Sequence, residues 1–239
     1  MKIRLLAFSS SREGNGAYLE TAAPIIEKFL GNTPLTIAFI PFASVDPDHE
    51  AYADKVRIAL SAFPYTIQTV NHTNAKAIIA KADVIMVGGG NTFKLLHDLY
   101  ALKLMDQIKE KVISGTPYIG WSAGSNIAGA TICTSNDMPI INPASFNALG
   151  FLPFQINPHY YNIPIAGFNG ETRDQRLAEF LQLNPQQRVV ALPEGTSLLL
   201  NKGSLQLTGK GNAFLFSWEN HAFTQKELTI TDDLSYLLK

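Results

Sequence analysis

Short apolar runs alternate with longer amphipathic stretches along the first two-thirds of the chain. The runs Ile3–Phe8, Leu35–Ile40, Tyr65–Val70, Val84–Val87 and Tyr118–Trp121 contain one charged residue, Arg4, and predict strands covered on both faces. Between them, Ala22–Leu30, Glu50–Phe63, Ala75–Lys81, Thr92–Tyr100 and Met105–Ser114 predict helices from the helical spacing of their apolar positions. Strands separated by helices of this length form a parallel sheet sandwiched between helical layers. Right-handed crossovers then gather the strand C-termini, and the loops that follow them, along one edge.

The last third has a different texture. Ala144–Ile165 is rich in Pro, Asn and aromatics without a clean period, which predicts a long loop crossing the surface. Gly170–Leu183 predicts a helix, with Glu171, Arg173, Asp174, Arg176 and Glu179 set around Leu177, Phe180 and Leu181. Val189–Leu192, Ser197–Leu200, a Lys202-Gly203 turn, Leu205–Leu207 and Ala213–Trp218 predict strands that include a hairpin. No repeat, linker or low-complexity tract divides the chain, so one domain spanning residues 1–239 is the expectation.

Charge narrows the partners. Lys and Arg number 19 against 20 Asp and Glu, with no basic block, which argues against nucleic acid and anionic membrane surfaces. The apolar run near the N-terminus is too short for a secretory signal core, and no apolar stretch is long enough to span a bilayer. A single cysteine, Cys133, forms no intrachain disulfide and suits a reducing compartment. Cys133 itself reads as a small buried apolar residue. A cytoplasmic location is the expectation.

Gly120-Trp121-Ser122-Ala123-Gly124 follows the strand Tyr118–Trp121 and precedes the small residues Ser125-Asn126-Ile127-Ala128-Gly129-Ala130. A GxSxG pentad between strand and helix is a nucleophile elbow: the turn is too tight for larger residues and leaves the hydroxyl at its apex. Gly88-Gly89-Gly90-Asn91 follows another strand and opens another helix. It lacks both the dinucleotide fingerprint and the Lys-Ser/Thr of a phosphate-binding loop. Its amides fit an oxyanion hole better, Gly89 or Gly90 acting with the N–H of Ala123.

A serine nucleophile needs a base and an acid. Of the five histidines, His49, His72, His97 and His221 lie in polar or helix-surface settings and read as solvated; none has metal-ligand spacing. His159 stands apart, in Gln155-Ile156-Asn157-Pro158-His159-Tyr160, where Pro158 stiffens the backbone. Glu194 ends an apolar strand in Leu192-Pro193-Glu194-Gly195, and Asp137 lies on the loop Thr134-Ser135-Asn136-Asp137-Met138-Pro139. Either could hold the second ring nitrogen of His159, leaving the other for a substrate ammonium group. Arg173 sits in the first turn of its helix, where the dipole disfavours a cation. That misfit marks it as a group for a substrate carboxylate, whereas Arg176 reads as a partner of the neighbouring acids.

These blocks resemble the peptidase E family of serine peptidases. Val87-Gly88-Gly89-Gly90-Asn91-Thr92-Phe93, the serine pentad, Thr134–Ile140, Gln155–His159, Gly170-Glu171-Thr172-Arg173 and Leu192–Gly195 follow the family's order across most of the chain. Ile40-Pro41-Phe42-Ala43 agrees more weakly, and the final twenty or so residues carry no matching motif. The resemblance implies a flavodoxin-like α/β three-layer sandwich related to class I glutamine amidotransferases, mostly parallel, with a C-terminal hairpin region. It also implies hydrolysis of small Asp-Xaa dipeptides through an acyl-enzyme, without metal or cofactor, in a monomer or homodimer.

Carried over by position, Ser122 is the nucleophile and His159 the base. The third member corresponds to Asp137 or Glu194, and a strand end favours Glu194 as the more rigid support. Arg173 would take the substrate β-carboxylate, and closure of Ala144–Ile165 over the cleft would limit substrate size. Three readings compete: a cyanophycinase-like β-aspartyl peptidase, a non-catalytic flavodoxin-like module and, more weakly, a lipase-like esterase.

Overall fold

The computed structural model describes residues 3–163, 167 and 169–239. Five strands, β1 (Arg4–Phe8), β2 (Leu35–Ile40), β3 (Tyr65–Thr69), β4 (Val84–Val87) and β5 (Tyr118–Trp121), run parallel in the order β3-β2-β4-β5-β1. Helices α1 (Ala23–Leu30), α2 (His49–Ala59), α3 (Ala75–Lys81), α4 (Thr92–Ala101) and α5 (Met105–Ile113) connect them. These bounds lie close to those expected from the apolar pattern, except that α2 stops short of Phe63.

Alternation along each strand builds two cores. Leu6, Phe8, Phe39, Met86 and Trp121 point toward α1 and α2; Leu5, Ala7, Ile40, Val87 and Tyr118 join the opposite cluster with residues of α3, α4 and α5. Each of these side chains is nearly or wholly buried. The Leu, Ile, Val, Met and Phe side chains among them each contribute on the order of 1.5–3 kcal/mol of burial free energy. The result is the three-layer flavodoxin-like sandwich.

Two further strands extend the main sheet. β8 (Thr196–Asn201) pairs antiparallel with β1, and β9 (Ser204–Gly209) pairs with β8 across the Lys202-Gly203 turn. Both turn residues have positive φ, 51° and 88°, the twist a two-residue hairpin loop requires.

The remaining strands make a second, four-stranded sheet that the sequence pattern did not predict. Its order is β11 (Ala222–Leu228), β10 (Ala213–Glu219), β7 (Arg188–Leu192), β6 (Gln155–Pro158). One face adds Ile156, Val190 and Leu192 to the larger core, and the other packs Val189, Ala191 and Phe216 against Leu177 and Leu181 of α7 (Arg173–Leu183).

Three expectations need correction. Ala144–Ile165 is not a surface loop along its length: Phe151, Leu152, Phe154 and Ile156 are buried, and the segment contains β6. The strand is only four residues long, on a sheet edge where its terminal Pro158 needs no ladder partner, so no alternation was visible. Pro164 and Ile165 of that expected loop lie outside the described residues, as do Met1 and Lys2. Helix α7 begins at Arg173 rather than Gly170, because Thr172 caps it in a reciprocal capping box with Gln175. Cys133 is exposed rather than buried.

Candidate active site

The elbow forms where β5 ends. Ser122 adopts φ 52° and ψ −114°, a left-handed conformation that a non-glycine residue holds only when its surroundings fix it. Its N–H donates to Phe8 O (3.1 Å) at the end of β1, and the four-residue helix α6 (Ala123–Asn126) turns away immediately. A Cβ at Gly120 would lie 2.5 Å from the Gly124 backbone, and one at Gly124 would lie 2.3 Å from Val87 O. The pentad glycines are therefore required by close approach.

Register brings the other two groups together. β6 and β7 are parallel with Pro158 opposite Leu192, so the chain leaves both strands side by side. His159 is the next residue on one and Glu194 two residues beyond on the other. His159 Nε2 lies 2.9 Å from Ser122 Oγ, and His159 Nδ1 lies 2.8 Å from Glu194 Oε1. Both the imidazole and the carboxylate are partly open to water, with side-chain exposures of 42% and 49%.

Ser9, which the sequence reading passed over, joins the two sheets at this point. Its buried hydroxyl donates to Leu192 O (2.7 Å) and accepts from the N–H of His159 (2.9 Å). Its own N–H donates to Thr196 O (2.9 Å), just past Glu194. His159 also has positive φ, 52°, and this clamp is part of what holds it there. The available signal was a serine at the C-terminal end of a central strand.

Asp137 does not reach His159. Its Oδ2 accepts from the N–H of Thr92 (2.7 Å) and from the Ser135 hydroxyl (3.3 Å), docking its loop on the N-terminus of α4. Asn91 Nδ2 donates to Met138 O (2.8 Å) and pins the same loop. Of the two carboxylates that competed from sequence, Glu194 is the one hydrogen-bonded to the imidazole.

The glycine loop borders the nucleophile. A Cβ at Gly89 would stand 3.0 Å from Ser122 Cβ. The Gly89 carbonyl accepts from Tyr52 OH (3.1 Å), which in turn accepts from Trp121 Nε1 (3.1 Å). Among the described residues, the N–H groups of Gly89, Gly90 and Ala123 donate to no protein acceptor.

A cavity of about 230 Å³ lies beside the hydroxyl, lined by Ser122, Asn126, Asp137, His159 and Arg173 among others. Arg173 Nη1 donates to Oδ1 of the buried Asn157 (3.2 Å), and Asn157 Nδ2 is held by Thr134 O and Asn136 Oδ1. No carboxylate pairs with Arg173 among the described residues; Arg176 pairs with Glu171, while Asp174 accepts from Tyr160 and Asn162. Burial first, then repulsion from Arg176, draws the Arg173 guanidinium below its ordinary value. Among the described residues this half-buried cation has no counter-ion, and it lines a cavity of amino-acid size.

Two of the other histidines are less simply solvated than expected: His97 Nδ1 lies 2.9 Å from Asp98, which Lys94 also pairs, and His49 packs near Phe42, whereas His72 and His221 are exposed. Among the described residues, no group of three or more His, Cys, Asp or Glu is placed to hold a metal, and no helix is long and apolar enough to cross a membrane.

A hydroxyl, an imidazole and a carboxylate hydrogen-bonded in a row, beside unspent amide donors at the strand ends of an α/β sheet, have the arrangement of a nucleophilic hydrolase. Comparison with known proteins narrows this to a peptidase. Residues 5–208 match the model of peptidase family S51, and the chain belongs to that family. It is 47% identical to peptidase E of Nostoc sp. strain PCC 7120, over all of this chain and 98% of that one. It is 45% identical to peptidase E of Shewanella sp. strain W3-18-1 over the whole of both chains. The crystal structure of a peptidase from an acI-B1 Actinobacterium shares the fold, with a TM-score of 0.72 at 17% identity, covering 98% of this chain and 97% of that one.

Proposed function

We propose that this peptidase is a serine-dependent dipeptidase that removes an N-terminal aspartyl residue from Asp-Xaa. Ser122 Oγ attacks the aspartyl carbonyl carbon while His159 Nε2 takes the hydroxyl proton. The oxyanion accepts hydrogen bonds from the N–H of Ala123 and of Gly89 or Gly90, each worth roughly 3 kcal/mol in comparable sites. His159 returns the proton to the departing amine, leaving an aspartyl ester on Ser122. Water, deprotonated by the same imidazole, then releases aspartate. Glu194 orients the ring and stabilises the imidazolium.

One observation carries the substrate assignment: Arg173, paired with no carboxylate among the described residues, lines the same small cavity as Ser122. A carboxylate one methylene from the α-carbon of the scissile residue suits that pairing, and the fork geometry of Arg favours it. The test is a panel of α-Asp-Leu, Asn-Leu, Ala-Leu and β-Asp-Leu, read by release of leucine. We expect α-Asp-Leu to exceed the neutral dipeptides by at least about 10²-fold in kcat/KM, since a buried charge left unpaired is costly. Preference for β-Asp-Leu would move the protein to the cyanophycinase-like reading, and cleavage of none would end the assignment.

A second expectation separates the two carboxylates. Glu194→Gln should lower kcat roughly 10²-fold, less than the ~10⁴ seen for a buried aspartate partner, because water already shares this carboxylate. Asp137→Asn keeps an acceptor for the N–H of Thr92 and should raise KM more than it lowers kcat. Steady-state kinetics on α-Asp-Leu check both; the reverse pattern would make Asp137 the orienting acid.

A further inference from the structure

Among the described residues, the buried side-chain oxygen of Asn126, Oδ1, has no hydrogen-bond partner. The residue is 1% exposed and lines the cavity beside Ser122. Asn126 is the last residue of α6, and its N–H donates to Ser122 O (2.9 Å). An amide in such a place costs free energy unless something else satisfies it. The other polar groups of the cavity are largely committed. Asn136 is tied to Asn157 and Pro158, Ser135 to Asp137, and Arg173 already touches Asn157.

We propose that Asn126 Oδ1 accepts a hydrogen bond from the α-ammonium group of the substrate, and so makes the enzyme require a free amino terminus. This assignment rests on the reading that the cavity holds an N-terminal aspartyl residue. An aspartyl residue brings one donor group, the ammonium, and one anionic acceptor, the β-carboxylate. Arg173 supplies donors alone and so takes the carboxylate. The orphaned acceptor then matches the ammonium, and Asp137, on the same cavity wall, balances its charge.

The test compares two ligands that differ in the amine alone. Dissociation constants of aspartate and of succinate are measured by ligand-observed NMR on the full chain and on two variants. Wild type should bind aspartate more tightly than succinate. Asn126→Ala should weaken aspartate about 10-fold or more, the scale of a hydrogen bond to a charged group, and leave succinate within about twofold. Asn126→Asp retains the acceptor and adds charge, so aspartate binding should persist while succinate binding falls. If Asn126→Ala fails to fold, this variant carries the test by itself.

Equal weakening of both ligands in Asn126→Ala, no weakening of either, or loss of aspartate binding in Asn126→Asp would overturn the assignment. So would a wild type that does not distinguish the two ligands. A site that merely holds water predicts that the aspartate–succinate contrast survives in Asn126→Ala. Failure of the wild type to cleave any aspartyl dipeptide would instead strike the proposed activity, which this binding measurement does not use.

Discussion

Ser122→Ala is expected to lower kcat on α-Asp-Leu by at least about 10⁴-fold while the fold stays intact. The Oγ removed makes one hydrogen bond, to His159 Nε2; the N–H that anchors the elbow to Phe8 O belongs to the backbone and is retained. Alanine occupies the left-handed conformation at a cost close to that of serine, so little stability is exchanged. Thermal unfolding should therefore move by no more than a few degrees, roughly the shift of 1 kcal/mol in a chain this long. Release of leucine followed over hours provides the necessary range. Retention of activity within tenfold of wild type would mean that Ser122 is not the nucleophile, and that the His159–Glu194 pair activates water directly.

The same neighbourhood illustrates what the chain made legible. The five parallel strands announced themselves as runs whose one charge is Arg4, because a strand covered on both faces has no solvent side to mark. Their ends fixed the edge on which chemistry would collect. Ser122, His159 and Glu194 stood out by motif, and the distances among them follow from two registers, Phe8 opposite Trp121 and Pro158 opposite Leu192. Neither register can be read from one sequence, because each joins residues far apart in the chain.

The second sheet stayed hidden for related reasons. β6 is four residues long and ends in Pro158, while β11 carries Thr224, Gln225, Lys226 and Glu227 on an open edge, so neither shows clean alternation. The loop reading of Ala144–Ile165 failed because Phe151 and Phe154 serve as core. Asn126 and Ser9 were missed because nothing local distinguishes a small polar residue that packs from one that faces a cavity. Cys133 was misplaced by the opposite habit, a burial preference overridden by its place on a turn.

Arg173→Met carries the second large effect, and it separates binding from folding. Truncating one member of a desolvated ion pair costs roughly 2–5 kcal/mol, so kcat/KM for α-Asp-Leu should fall by about 10²-fold or more. Asn-Leu and Ala-Leu, which never formed the pair, should change far less, and the preference for aspartate should collapse. Arg173→Lys should recover only part of the loss, because an ammonium cannot grip a carboxylate as a fork while also bonding Asn157 Oδ1. Stability should not follow activity. Helix α7 is started by the Thr172–Gln175 capping box, and a cation at its first position opposes the helix dipole. Removing that cation leaves the cap in place and relieves the repulsion from Arg176, so the unfolding midpoint should hold or rise slightly. A variant that loses all dipeptides equally, or loses activity together with its unfolding midpoint, would show that Arg173 supports the cavity wall rather than reading the substrate.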